Sequence, residues 1–265
     1  SHIIFDEPLA KYTTFDKSRD EPFPISRTAI DEFIRCPRTF VLKRKYGVKF
    51  PSIPPLTLAV ATDHLLKNEF DKLRKEQSSE HWLFKRFGLD VVPYEHPEMD
   101  AWRNNFKGIR YLHEPTNLEI FGAVDDVWEG LNSKELYIVD YKSTSKKGDP
   151  DIESGWGSTY KRQIETYQWL FRQNGFDVSD TGYFLYVNGV KGDNSFYYDH
   201  EGYEHIGFME FSTTLIPYEG NPDWLEDTLM SIKDTLMSDR LPEANESHDL
   251  NTYYYERAKI EAEYS

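Results

Sequence analysis

Leu136-Tyr-Ile-Val-Asp-Tyr-Lys-Ser-Thr144 joins two signals that seldom share one strand. Leu136, Ile138 and Val139 form a short apolar run rich in β-branched side chains, the pattern of a buried strand. A buried strand has little use for an unpaired acid or amine, because stripping either of water is costly. Asp140 and Lys142 nevertheless sit at its end, two residues apart, and the period of two turns both side chains to one face. A hard oxygen ligand is thereby set beside an ammonium. The plain alternative is a structural salt bridge at a strand end.

The preceding residues, Leu118-Glu-Ile-Phe-Gly-Ala-Val-Asp-Asp-Val-Trp128, alternate apolar and polar and predict a strand that passes Gly122 and ends near a double acid. Glu129-Gly-Leu-Asn-Ser-Lys134 supplies turn residues, so the two strands are expected to form an antiparallel hairpin. Either Asp125 or Asp126 then lies across from Asp140. Two facing carboxylates repel unless one is protonated or a cation lies between them. Oxygen ligands suit Mg²⁺ or Mn²⁺, and a neighbouring lysine is suited to orienting water or stabilising charge on a phosphate.

Downstream, a loop from Gly148 to Gly157 leads into Thr159–Arg172, where Ile164, Tyr167, Leu170 and Phe171 fall at helical spacing and Asn174-Gly175 stops the helix. Gln163 and Tyr167 are four apart and share a face. In local terms Tyr167 is a core residue and Gln163 a capping polar group. Taken together, Gly122-Ala-Val-Asp125, Asp140-Tyr-Lys142 and Gln163-Ile-Glu-Thr-Tyr167 read G-x-x-D, D-x-K and Q-x-x-x-Y in that order, which resembles the RecB/Cas4-like branch of the PD-(D/E)xK nuclease superfamily.

The resemblance implies an α/β fold with a restriction-endonuclease-like core, a mixed β-sheet flanked by helices, here carrying a helical insertion around 67–115. It implies metal-dependent hydrolysis of phosphodiester bonds in DNA. Single-stranded ends are the favoured substrate and duplex ends the alternative, in repair, recombination or CRISPR- or phage-related processing. Asp125, Asp140, Lys142, Gln163 and Tyr167 become the expected catalytic group. Asp125, Asp140, the carbonyl of Tyr141 and His64 become the expected ligands of Mg²⁺ or Mn²⁺. Asp125 is preferred to Asp126 because it lies three residues after Gly122, as in the family. Two rivals stand beside this reading: a catalytically silent nucleic-acid-binding module of the same fold, and a hydrolase of small phosphoesters.

N-terminal to the centre, Leu56–Gln77 reads as a helix, with Leu58, Leu65, Leu66, Phe70 and Leu73 apolar. His64 lies in it where relatives place a metal-binding histidine, without the glycine that often precedes it. Ser26 is an N-cap for a helix through Arg35, followed by Cys36-Pro-Arg and an aromatic, basic segment to Tyr46. In many relatives that cysteine is the first of four ligands of an iron–sulfur cluster. Cys36 is the single cysteine of this chain, and the corresponding C-terminal segment, His248–Ala258, has none. Four thiolates cannot come from one cysteine, so no cluster is expected and Cys36 is read as a small buried residue.

C-terminal to the centre, strands are expected over Thr181–Asn188, Ser195–Tyr198 and His205–Phe211, and an amphipathic helix over Pro222–Met237. Residues 1–25 are read as an extension, 26–240 as the nuclease domain and 241–265 as a tail packing on the core. No apolar run approaches the ~20 residues of a membrane span. Together with the lone cysteine this gives the expectation of a cytoplasmic protein without a membrane partner.

The net charge of −15 opposes a polyanionic partner. The cations are unevenly spread, however. Ser26–Lys49 holds seven basic residues, Arg38, Lys43 and Arg44 among them, against Asp31 and Glu32. Lys142, Lys146, Lys147, Lys161 and Arg162 form a second group around the centre. Arg38, Lys43, Arg44, Lys161 and Arg162 are therefore the candidate DNA contacts.

Overall fold

The computed structural model describes residues 14–50, 56–191, 206–245 and 257–263. In chain order they form β1 (Phe23–Ser26), α1 (Arg27–Arg35), α2 (Pro37–Arg44), α3 (Thr57–Glu76), α4 (Trp82–Phe87), β2 (Val91–Pro93), α5 (Met99–Trp102), β3 (Ile109–His113), β4 (Leu118–Gly122), β5 (Asp126–Gly130), β6 (Leu136–Thr144), α6 (Gly157–Gln173), β7 (Thr181–Gly189), β8 (Phe211–Glu219) and α7 (Trp224–Met237). The strand expected over Ser195–Tyr198 and most of the His248–Ala258 segment lie outside the described residues.

The chain divides into two units, the first comprising Ser1–Ile53, Arg110–Phe121 and Asp223–Ser265. Its sheet has the order β1-β4-β3, with β1 parallel to β4. Residues 23–25, read as extension, thus supply a strand, and Ile25 and Ile120 are wholly buried on it. Ser26 caps α1 by accepting from the Ala29 amide at 3.1 Å. Cys36 is buried, and its Sγ accepts from the Thr39 amide at the start of α2. On α7, Leu225, Leu229, Ile232 and Leu236 are buried at helical spacing. Part of the expected tail is anchored here: the Pro242 carbonyl accepts from Arg38, and Asn245 donates to the Arg35 carbonyl.

The second unit, Pro54–Ile109 and Gly122–Pro222, holds a five-stranded sheet of order β2-β5-β6-β7-β8. Only the β6–β7 pair is parallel, and α6 makes the crossover that such a pair requires. One sheet face packs Val139, Tyr141, Trp128, Tyr183 and Leu185 against Phe70 of α3 and Leu83 and Phe84 of α4. The alternation along β6 turns Asp140 and Lys142 to the opposite face, where α6 lies.

Three sequence expectations are corrected. Leu118–Trp128 is not one strand: β4 pairs in the first sheet, Ala123–Asp125 lies outside both strands with a bend at Asp125, and β5 alone forms the hairpin with β6. The span 67–115 is not purely helical, since it contributes the edge strand β2 and the strand β3 as well as α4 and α5. The strand expected over His205–Phe211 begins at Phe211 and runs to Glu219, where Thr213, Thr214 and Ile216 suit a nine-residue antiparallel pairing with β7; His205 is outside the described residues.

Candidate active site

The break between β4 and β5 is held by three separate contacts. Gly108 has φ +64, and a Cβ there would stand 2.4 Å from the Gly122 carbonyl oxygen, so only glycine permits this approach. The Val124 amide donates to the Trp102 carbonyl at 3.1 Å. The hydroxyl of buried Tyr167, on α6, donates to the Ala123 carbonyl. The segment thus tethered delivers Asp125 to the end of β6, where one carboxylate oxygen accepts the Tyr141 amide at 2.8 Å.

Asp125 faces Asp140. Register supports this, because Asp126 pairs with Val139 in the antiparallel ladder, which sets the preceding residue opposite Asp140. Asp140 is 1% exposed, and among the described residues its carboxylate meets no donor but the ammonium of Lys142. Burial, then the charge of Asp140, pushes the Asp125 carboxyl up to about 7, against the smaller opposing pull of Lys142 and Lys67.

Lys142 Nζ forms an ion pair with Asp140 but hydrogen-bonds Gln163 Oε1, at 3.2 Å. The same ammonium lies 4.3 Å from the centroid of the Tyr160 ring. Gln163 and Tyr167, four apart on α6, therefore act on different parts of the centre: one touches the lysine and the other fixes the chain before Asp125.

Asp126, the other half of the double acid, is spent elsewhere. It is wholly buried and accepts from Arg74, the Tyr141 hydroxyl, Trp128 Nε1 and the Val127 amide. Arg74 in turn bonds Asp71 and the Tyr94 carbonyl, and Asp71 also holds Arg103. Burial beside Asp126 drives the Tyr141 phenol well above its ordinary range.

His64 is exposed on α3, its Nε2 3.1 Å from Asn68 Nδ2. It does not join the two aspartates, and among the described residues no three His, Cys, Asp or Glu side chains form a ready metal cluster. The α3 side chains whose charges reach Asp125 are Asp63 and Lys67. Of the expected DNA-contacting cations, Lys161 pairs with Glu153, Arg162 donates to Thr159, Lys43 pairs with Glu32, Arg38 bonds Pro242, and Arg44 is half-buried.

A family model for the PD-(D/E)XK nuclease superfamily matches residues 53–202, more than half of the chain. The chain belongs to that superfamily. No curated protein matches it. Members of the PD-(D/E)XK superfamily are nucleases that typically use divalent metals such as Mg²⁺ or Mn²⁺. The residues here fit such an ion, because two facing carboxylates, one of them buried and met by a single lysine ammonium, leave a negative charge for a cation to balance. Among the described residues no helix is long and apolar enough to cross a membrane.

Sequence reasoning missed the Arg74–Asp126–Tyr141 network and the two α3 charges. The network joins residues 52 apart in the chain, and no local pattern announces it. Asp63 and Lys67 carried a visible signal, since they are four apart on the helical stripe that continues to Phe70 and Arg74.

Proposed function

We propose that the protein is a metal-dependent deoxyribonuclease of the RecB/Cas4-like kind, acting on single-stranded DNA ends as an exonuclease. The observation that carries the reading is Asp140, a buried carboxylate that faces Asp125 and is paired, among the described residues, with the ammonium of Lys142. Asp125, Asp140 and the carbonyl of Tyr141 would hold the Mg²⁺ or Mn²⁺, with α3 supplying any further ligand, His64 being the one the family pattern assigns. Bound there, such an ion would supply Lewis-acid polarisation of the phosphate and a lowered pKa for an attacking water.

The remaining work falls to the chain's own groups. Lys142 meets a phosphate oxygen or the attacking water with its ammonium, which offers three donors, of which Gln163 engages one and Asp140 another. Gln163 gives that ammonium a second partner beside Asp140. Tyr167 keeps Ala123, and through it Asp125, at the metal end of β6. Lys146 and Lys147 continue past the end of β6 as exposed cations suited to neighbouring phosphates.

The test is digestion of end-labelled single- and double-stranded DNA with Mg²⁺, Mn²⁺ or EDTA, for wild type and Lys142→Ala. Metal-dependent laddering of the single strand from one end, lost in the variant, is the expected result. Undiminished cleavage by a folded Lys142→Ala protein overturns the assignment of the centre.

A further inference from the structure

Trp156 has a side chain of the kind that usually hides, yet it is 60% exposed. It occupies the N-cap position of α6, and its carbonyl accepts the Tyr160 amide at 3.0 Å, so the two aromatic residues stand one turn apart on the same helix. Tyr160 is the ring that lies 4.3 Å from the Lys142 ammonium. One helical turn, a rise of about 5.4 Å, thus separates the backbone position of an exposed tryptophan from that of the tyrosine whose ring touches the proposed catalytic lysine.

The backbone that carries the indole is also held firmly. Gly157, the next residue, approaches so closely that a Cβ on it would stand 1.9 Å from the Ile152 carbonyl oxygen, and its amide donates to the Ser154 carbonyl. Ile152 is buried, and the Asp151 carboxylate accepts the amides of Glu153 and Ser154. The loop therefore presents Trp156 from a fixed base, which lowers the ordering cost of stacking on it.

We propose that Trp156 is the stacking platform for an unpaired base of a single-stranded substrate whose phosphate lies at Asp140 and Lys142. The inference rests on the nuclease reading above. Three features favour a nucleic-acid base over another apolar occupant: the position of Trp156 one turn before Tyr160, whose ring meets Lys142, the exposed Lys146 and Lys147 beyond β6, and the flat exposed surface an indole offers to any base. A paired base is already stacked within its duplex and has no face to offer. Trp156 thereby selects for unpaired strands, and it supplies affinity that a chain of net charge −15 gains poorly from phosphate contacts alone.

The test uses the full chain in a Lys142→Ala background with Mg²⁺, where turnover is blocked, and compares it with the same protein carrying Trp156→Ala or Trp156→Phe. Anisotropy titrations use a labelled single strand, its blunt duplex and an all-abasic strand of equal length. Single-strand binding is expected to weaken roughly 5- to 100-fold in Trp156→Ala, from the usual worth of one base–aromatic stack. Trp156→Phe should retain most of it, duplex binding should stay within about twofold, and the abasic strand should bind both proteins alike. Equal single-strand binding by Trp156→Ala, or a parallel loss for single strand, duplex and abasic strand, overturns the proposal. Cleavage by the Lys142→Ala background itself is a different failure, that of the nuclease reading. Because Trp156 is exposed, thermal melts of the variants should match the parent, and a lower melting temperature in Trp156→Ala alone also counts against the proposal.

Discussion

Replacing Asp125 by asparagine should stabilise the metal-free protein, and only at higher pH. In the folded chain the Asp125 carboxyl is pushed from 3.8 to about 7 by burial and by Asp140. The unfolded chain releases that proton near pH 4, so between about pH 4 and 7 the native state binds more protons than the unfolded state, and stability falls as pH rises. About three pH units correspond to ~4 kcal/mol at the upper limit. Asp125 is partly exposed and shares its titration with Asp140, so about 2–4 kcal/mol is the working range. The amide that Asp125→Asn introduces carries no charge and keeps an oxygen for the Tyr141 amide. In EDTA, Asp125→Asn should match wild type at pH 4.5 and melt roughly 5–15 °C higher at pH 8. Added Mg²⁺ should close most of that gap at pH 8, stabilising wild type by ~2.7 kcal/mol at a hundred times its dissociation constant and leaving the variant unmoved. Thermal unfolding at three pH values with and without metal measures all of this. An Asp125→Asn advantage that is absent at pH 8, or equal at pH 4.5 and 8, refutes the facing-carboxylate argument.

Tyr167→Phe removes the hydroxyl that holds Ala123, and should lower kcat several-fold with little change in KM while costing about 1 kcal/mol of stability; steady-state kinetics with unchanged kcat would speak against a positioning role. Arg74→Met strands the buried Asp126 carboxylate and should cost about 3–5 kcal/mol in urea unfolding, most of it recovered in Arg74→Met with Asp126→Asn; a fully stable single variant contradicts the network. With Lys142, Lys146 and Lys147 as the phosphate contacts, log K for a single strand should fall with log salt at a slope of roughly −2, and a slope near −6 would mean that many more cations take part.

The centre was legible where its geometry is local. Period two along β6 put Asp140 and Lys142 on one face, and a four-residue spacing put Gln163 and Tyr167 on another. The distance of Asp125 from Gly122 singled out the half of the double acid that stands opposite Asp140. What could not be read was made by tertiary contact. Nothing local in Leu118–Trp128 marks a change of sheet, yet the chain leaves one sheet and enters another inside it, because Gly108, Trp102 and Tyr167 capture residues 122–124 from outside the segment. β1 and β2, with four and three residues, are too short for any periodicity to register. Nothing in the local sequence separates Asp126 from its neighbour; Arg74, far away in the chain, claims it.

The charge of the chain remains the strongest objection to a polyanionic substrate, and the site answers it locally. Of the cations around the centre, Lys161 neutralises Glu153 and Arg74 neutralises buried Asp126, so neither adds to an outward field. Lys142 is different: its partner Asp140 is one of the two carboxylates that a divalent ion would take over. Metal-free, the pair of aspartates cancels the lysine and repels phosphate. With two positive charges added, the same three side chains sum to a positive centre, and the lysine is released from a carboxylate to a phosphate. Substrate binding should therefore depend on metal as much as hydrolysis does, and the acidic remainder of the surface then works against loosely held duplex. The chain would engage nucleic acid where metal, lysine and an exposed aromatic ring coincide, and poorly elsewhere.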